Sequence, residues 1–131
     1  LFELFVFSKL KERFTHHKEV TYHQKFNYLE PDFIVKTNDG LIKMVVDAKY
    51  KPQYQDGNIS TEDIRQISGY ARLKKIYKFL EFEEDKIIDC LVIYSSQSAE
   101  RIDFKGDNFK LEEEKGYNRF FKIGIELPVK I

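Results

Sequence analysis

The Asp39-Gly40 pair, flanked on both sides by β-type sequence, constrains this chain more than any other feature. Placed as the two central residues of a tight type I′ hairpin turn, it pairs positions whose numbers sum to 79. Asp32 then falls directly opposite Asp47, and Lys49, two residues further along, projects to the same sheet face. Two like charges facing one another across a sheet are destabilising unless something cationic sits between them. A divalent metal ion meets that need, since Mg²⁺ is commonly held by one or two carboxylates together with substrate oxygens.

The remaining sequence is that of an ordinary domain. Its 131 residues are 42% hydrophobic and 34% charged, enough to bury a core without staples, and a single domain over 1–131 is expected. Cys90 is the one cysteine, so a disulfide framework, a structural zinc site and an iron–sulfur cluster are excluded. In its apolar run it reads as a small buried group in a reducing, cytoplasmic setting. No stretch approaches the roughly 18 apolar residues of a membrane span, and no leader resembles a signal peptide. The chain starts at Leu1 within an amphipathic helix pattern, which points to a segment of a longer protein. The 22 basic and 22 acidic residues cancel, which argues against nucleic-acid binding by bulk charge alone but leaves a nuclease open.

Along the chain, residues 1–14 carry apolar positions at helical spacing. Strands are expected within 19–29, at 33–36 and at 41–50, the last apolar on both faces like a central strand. Breaker-rich residues 51–60 read as a mobile loop. Ser60 or Thr61 then caps the longest helix of the chain, running to about residue 80. A strand at 87–95, a turn at 95–98, and one or two edge strands from 101–104 and 120–131, around an acidic loop at 112–115, complete the order.

The bland readings of the charged residues are clear. Asp-x-Lys is common, Pro-Asp often only starts a turn, and Glu3 serves the helix N-terminal dipole equally well. The combination at hairpin spacing, with Asp47 at the end of an apolar strand where an unpaired charge is costly, favours a site. Lys49 beside a scissile phosphate would orient water and stabilise developing charge. Gln66 and Tyr70, four residues apart, share one helix face and can reach phosphate oxygens. Gly69 beside them hints at a close approach of backbone or ligand. His16, His17 and His23 form no metal pattern with Cys90 and read as surface residues; Tyr50, Tyr54 and Tyr77 read as packing or loop residues.

With Glu3, Pro31-Asp32, Asp47-Ala48-Lys49 and Gln66-x-x-x-Tyr70 in this order, the chain resembles the PD-(D/E)xK nuclease superfamily over residues 1 to about 80. The wording of residues 30–35, 45–51 and 63–71 looks most like the catalytic domain of the McrC family, nuclease subunits of modification-dependent restriction systems. The resemblance implies an α/β, restriction-endonuclease-like αβββαβ core with a mixed central sheet flanked by helices. It implies Mg²⁺-dependent cleavage of DNA, with Mn²⁺ able to substitute. Catalytic roles carry over to Asp32, Asp47 and Lys49, and Glu3 matches the superfamily's helix glutamate, a third metal carboxylate beside Asp32 and Asp47. A GTP-driven AAA+ motor is implied as partner through an N-terminal region not in this segment, and the chain has no Gly-Lys-Ser or Gly-Lys-Thr phosphate loop of its own. Double-strand cleavage would need two sites, so a homodimer is plausible. A RecB-like or CRISPR-adaptation-type exonuclease and a non-catalytic interaction module are the competing readings.

Overall fold

A computed structural model describes residues 1–26, 28–51, 54, 58–96, 103–106 and 109–127. The fold is α/β, a mixed sheet flanked by helices. The elements are α1 (Phe2–Arg13), β1 (Val20–Tyr22), β2 (Phe33–Lys36), β3 (Lys43–Lys49), α2 (Thr61–Tyr70), α3 (Lys74–Leu80), β4 (Asp89–Ser96), β5 (Glu112–Glu113) and β6 (Phe120–Glu126). Among the described residues the strands form one six-stranded sheet in the order β1-β2-β3-β4-β6-β5. β1, β2 and β3 are antiparallel, β3-β4 and β4-β6 are parallel, and β5 returns antiparallel to β6.

Side-chain alternation along the central strands feeds two cores. Ile34, Val45, Cys90 and Val92 pack against Ile64, Ile67, Ile76 and Leu80 of α2 and α3. Phe33, Val35, Met44, Val46, Leu91 and Ile93 pack on the opposite face against Val6 and Leu10 of α1. Val45 and Val46 are both fully buried, as a strand covered on both sides requires.

The register of β2 and β3 is the expected one: Phe33 pairs with Val46 and Val35 with Met44. The turn that sets it differs. Thr37 N–H donates to the Ile42 carbonyl, and Gly40 N–H donates to the Thr37 carbonyl, so a four-residue loop replaces the two-residue turn. Among its residues Gly40 alone has a positive φ, at 75°, whereas a type I′ turn needs two. Asp39 instead accepts from the Thr37 hydroxyl at 2.6 Å and from Leu41 N–H at 3.0 Å. Both loop lengths conserve the sum of paired positions, which is why the register survives.

Other expectations need correction. The single long helix is two: α2 ends at Tyr70, and Arg72 and Leu73 N–H close tight turns onto Gly69 and Tyr70. At 3.6 residues per turn, the stripe of Ile64, Ile67 and Ala71 and the stripe of Leu73, Ile76 and Leu80 would fall on roughly opposite faces of one helix, so breaking it lets both face the sheet. The longest helix is α1, of 12 residues. β1 stops at Tyr22, because His23 turns to a positive φ of 56°; Phe26 and Leu29 form only an isolated bridge. β6 is no edge strand but lies inside the sheet between β4 and β5, and Glu112 and Glu113 of the expected acidic loop form β5, the true edge. Ser95 and Ser96 extend β4, Asp103 and Phe104 sit in a turn, and residues 97, 98, 101 and 102 lie outside the described residues.

Tyr54 and Ile59, from the expected loop at 51–60, are buried in the α2 core, while residues 52, 53 and 55–57 lie outside the described residues. No helix among the described residues is long and apolar enough to cross a membrane.

Candidate functional site

β3 ends by carrying Asp47 and Lys49 out of the apolar layer on the face covered by α2, the face that Val45 shares. The residue preceding β2, Asp32, lies across from Asp47 when the register is continued by one position. Its Oδ2 accepts from the Ala48 N–H at 2.8 Å, and its carboxyl lies close enough to Asp47 to feel that charge. Asp47 is 3% exposed. Its Oδ2 lies 2.8 Å from the Lys49 ammonium yet accepts no hydrogen bond of acceptable geometry. Proximity and alignment therefore disagree, and the attraction is a charge contact that leaves a lone pair of Asp47 unused.

Burial first, and the Asp47 charge second, push the Asp32 carboxyl up to about 8. Two carboxylates in contact in a half-buried setting share a proton rather than both ionise. Lys49 is held in its charged form despite burial, by its 2.8 Å contact with Asp47 and by the charges of Asp47, Asp63 and Asp32.

The Ser60 hydroxyl caps α2 by accepting from Asp63 N–H at 3.2 Å. That cap fixes the rotation of the helix, and Gln66 Oε1 accepts from Lys49 Nζ at 2.9 Å. Tyr70, one turn on, is buried; burial and the Asp47 charge raise its hydroxyl, while a hydrogen bond with Gln66 opposes them. Gln66 and Tyr70 thus share one helix face, as their spacing implied, and Lys49 meets Gln66 there. The close approach of backbone expected at Gly69 is not there: a Cβ would meet nothing within 4 Å, and the space beside it is open. Its position near the helix end, with its carbonyl accepting from Arg72 N–H, accounts for it as an easing of the terminal turn.

Asp63 was not singled out by spacing. Buried at 6% exposure, it accepts from Lys51 Nζ at 2.7 Å and from the Tyr54 hydroxyl, and lies 3.8 Å from Lys49. Burial would raise its carboxyl, but these donors hold it below the usual carboxylate range. An acid in the first turn of a helix is ordinary dipole chemistry, which is why the sequence carries no stronger signal for it.

Glu3, on the first turn of α1, reaches the edge of the group. Its Oε1 lies 2.6 Å from His23 Nε2, and His23 Nδ1 lies 2.7 Å from Glu30 Oε1. Ligand atoms of Glu3, His23 and Asp32 all lie within 4.8 Å of one another. His23 is half-exposed, yet it is a bridge between two acids rather than an isolated surface residue. The hydrogen bond with Glu3 raises its imidazole above the ordinary value, against the opposing effect of burial. Cys90 is inert by contrast: burial pushes its thiol up to about 12.

A cavity of about 580 Å³ lies elsewhere, lined by Arg72, Tyr77, Cys90, Tyr117 and Arg119 among others. It contains none of Asp32, Asp47, Lys49 and Gln66. The convergence of ionisable groups outweighs volume in locating chemistry here. Compared with protein-family models, with curated proteins and with solved structures, the chain finds no significant match in any of the three.

Proposed function

We propose that this chain is a metal-dependent DNA endonuclease domain with a restriction-endonuclease-like core, of the PD-(D/E)xK kind and most similar in its motifs to the McrC-type restriction nucleases. The observation that carries the reading is the meeting of Asp32, Asp47 and Lys49 at one end of β3, with Gln66 holding the ammonium. The element order, one helix and three antiparallel strands before a helical crossover into a parallel strand, supports it.

The donor set fits a hard divalent cation. Asp47 keeps a buried oxygen that accepts no hydrogen bond, and Asp32 is pushed toward its protonated form by burial and then by the Asp47 charge. Asp32 and Asp47 would hold Mg²⁺ or Mn²⁺, with Glu3 as a third carboxylate. Such an ion supplies Lewis acidity to a phosphoryl oxygen and lowers the pKa of bound water. The chain's own groups do the rest. Lys49 presents its ammonium where charge develops on the phosphoryl oxygens as the water oxygen adds and the leaving P–O bond breaks. Gln66 fixes the direction of that ammonium, and the buried Tyr70 hydroxyl limits how far Gln66 can turn away.

DNA is the substrate on this reading, a GTP-driven AAA+ motor on another chain is the partner, and paired copies would cut both strands. The Gln66-to-Tyr70 arrangement also fits RecB-like exonucleases, for which linear DNA would be preferred over circular. Incubating plasmid with Mg²⁺ or Mn²⁺ and wild type, Asp47→Ala or Lys49→Ala tests the assignment. Cleavage by wild type alone supports it. Equal cleavage in all three, or none from the full-length protein with its motor, overturns it in favour of a non-catalytic module in which Lys49 merely neutralises Asp47.

A further inference from the structure

We propose that His23 is a nitrogen ligand for a divalent transition-metal ion held between Glu3, His23 and Asp32, with Glu30 as the carboxylate that fixes the ring. The inference rests on reading Glu3 and Asp32 as metal-facing carboxylates, but it concerns which ion they accept.

One ligand atom from each of Glu3, His23 and Asp32 lies within 4.8 Å of the other two. Ligands of a six-coordinate ion with bonds of about 2.1 Å stand roughly 3.0 Å apart when adjacent and roughly 4.2 Å apart when opposite, so the three must draw together to share one. The trio adjoins an under-used buried acid: Asp47, 3% exposed, lies across from Asp32 in the continued β2-β3 register and has an Oδ2 that accepts no hydrogen bond. Lys49 answers the Asp47 side of Asp32, and on the Glu3 side the facing base is His23, set between two carboxylates.

His23 is built for this position. Its Nδ1 lies 2.7 Å from Glu30 and its Nε2 2.6 Å from Glu3, so each ring nitrogen faces a carboxylate, as in an imidazolium. A carboxylate backing the far nitrogen of a metal-binding imidazole is the usual way such a ligand is oriented. The backbone holds the residue in place: His23 has a positive φ of 56°, and its N–H donates to the Asp32 carbonyl at 3.0 Å. When the ion binds, Nε2 gives its proton to solvent and its lone pair to the metal. An imidazole ligand suits first-row transition ions better than Mg²⁺, so His23 biases the trio away from Mg²⁺ and toward a transition ion, for which Mn²⁺, the weakest binder of that series, is a stringent paramagnetic probe.

Mn²⁺ binding to the full-length protein, without DNA, is the test. Electron spin echo spectra of the Mn²⁺ complex should show nitrogen coupling that changes when wild type is labelled with ¹⁵N-histidine, a readout that needs no substitution. His23→Gln should abolish the coupling and weaken Mn²⁺ at least about tenfold, with Mg²⁺ affinity changed by less than about threefold. Glu30→Gln should weaken Mn²⁺ about 10- to 100-fold while the coupling persists. Bound Mn²⁺ without histidine coupling, or no Mn²⁺ binding at millimolar concentration, overturns the proposal. Coupling in a protein that never cuts DNA removes the nuclease reading and leaves this one; cleavage that depends on Asp47 without coupling does the reverse.

Discussion

The Lys49 ammonium lies 2.8 Å from Asp47 Oδ2 and 2.9 Å from Gln66 Oε1, so a buried acid on a strand and an exposed amide on a helix aim one cation. Removing that cation should tell on both stability and rate. Lys49→Ala leaves Asp47 beside Asp32 without compensation, at a cost of about 1–3 kcal/mol. Cleavage should fall roughly 100- to 1000-fold. Calorimetry and single-turnover kinetics on the same preparation check the two effects.

Gln66→Ala separates positioning from folding. Gln66 is exposed, so stability should change by less than about 0.5 kcal/mol. The cleavage rate should nonetheless drop about tenfold, because the ammonium loses its direction. A rate equal to wild type would remove Gln66 from the site.

The shared proton of Asp32 sets a pH dependence in the metal-free protein. Folded, the carboxyl titrates at about 8, raised chiefly by burial and then by Asp47. Unfolded, it titrates near 3.9, so between these values the folded state binds more protons and this group's contribution to stability falls as pH rises. Melting temperature should decline from about pH 5 to about pH 8. Asp32→Asn should flatten the decline, and Mg²⁺ or Mn²⁺ at the upper end should restore the loss.

Asp63 should behave with the opposite sign. Its carboxyl is held low by Lys51, Tyr54 and Lys49 against the pull of burial, so it stabilises above its unfolded pKa and loses that contribution as pH falls through the folded one. Asp63→Asn should cost about 2 kcal/mol near neutrality, with Lys51 half-exposed and its share of the network discounted accordingly. In urea melts the difference from wild type should shrink below about pH 4.

How much of this was legible before the structure follows from the range of the interactions. The opposition of Asp32 to Asp47 was readable because a hairpin transmits register through a short loop, and a four-residue loop preserves the same pairing sum as a two-residue one. The break between α2 and α3 was also present in the sequence, in the half-turn shift of the apolar stripe, although apolar content alone joins them. The interior place of β6 was not readable, since parallel pairing with β4 has no local turn to announce it. Nor was His23, whose meaning depends on Glu3, 20 residues earlier, on another element. Tyr50 was read as a packing or loop residue, and it is both partly exposed and edge-on to Phe2 at 5.8 Å.

A crystal grown with Mn²⁺ and measured at an anomalous wavelength tests the central claim, that Asp32 and Asp47 are a metal-binding pair. An anomalous peak is expected within about 2.0–2.3 Å of a carboxylate oxygen from each aspartate. No peak at millimolar Mn²⁺, with the Lys49 ammonium still seated on Asp47, would contradict it.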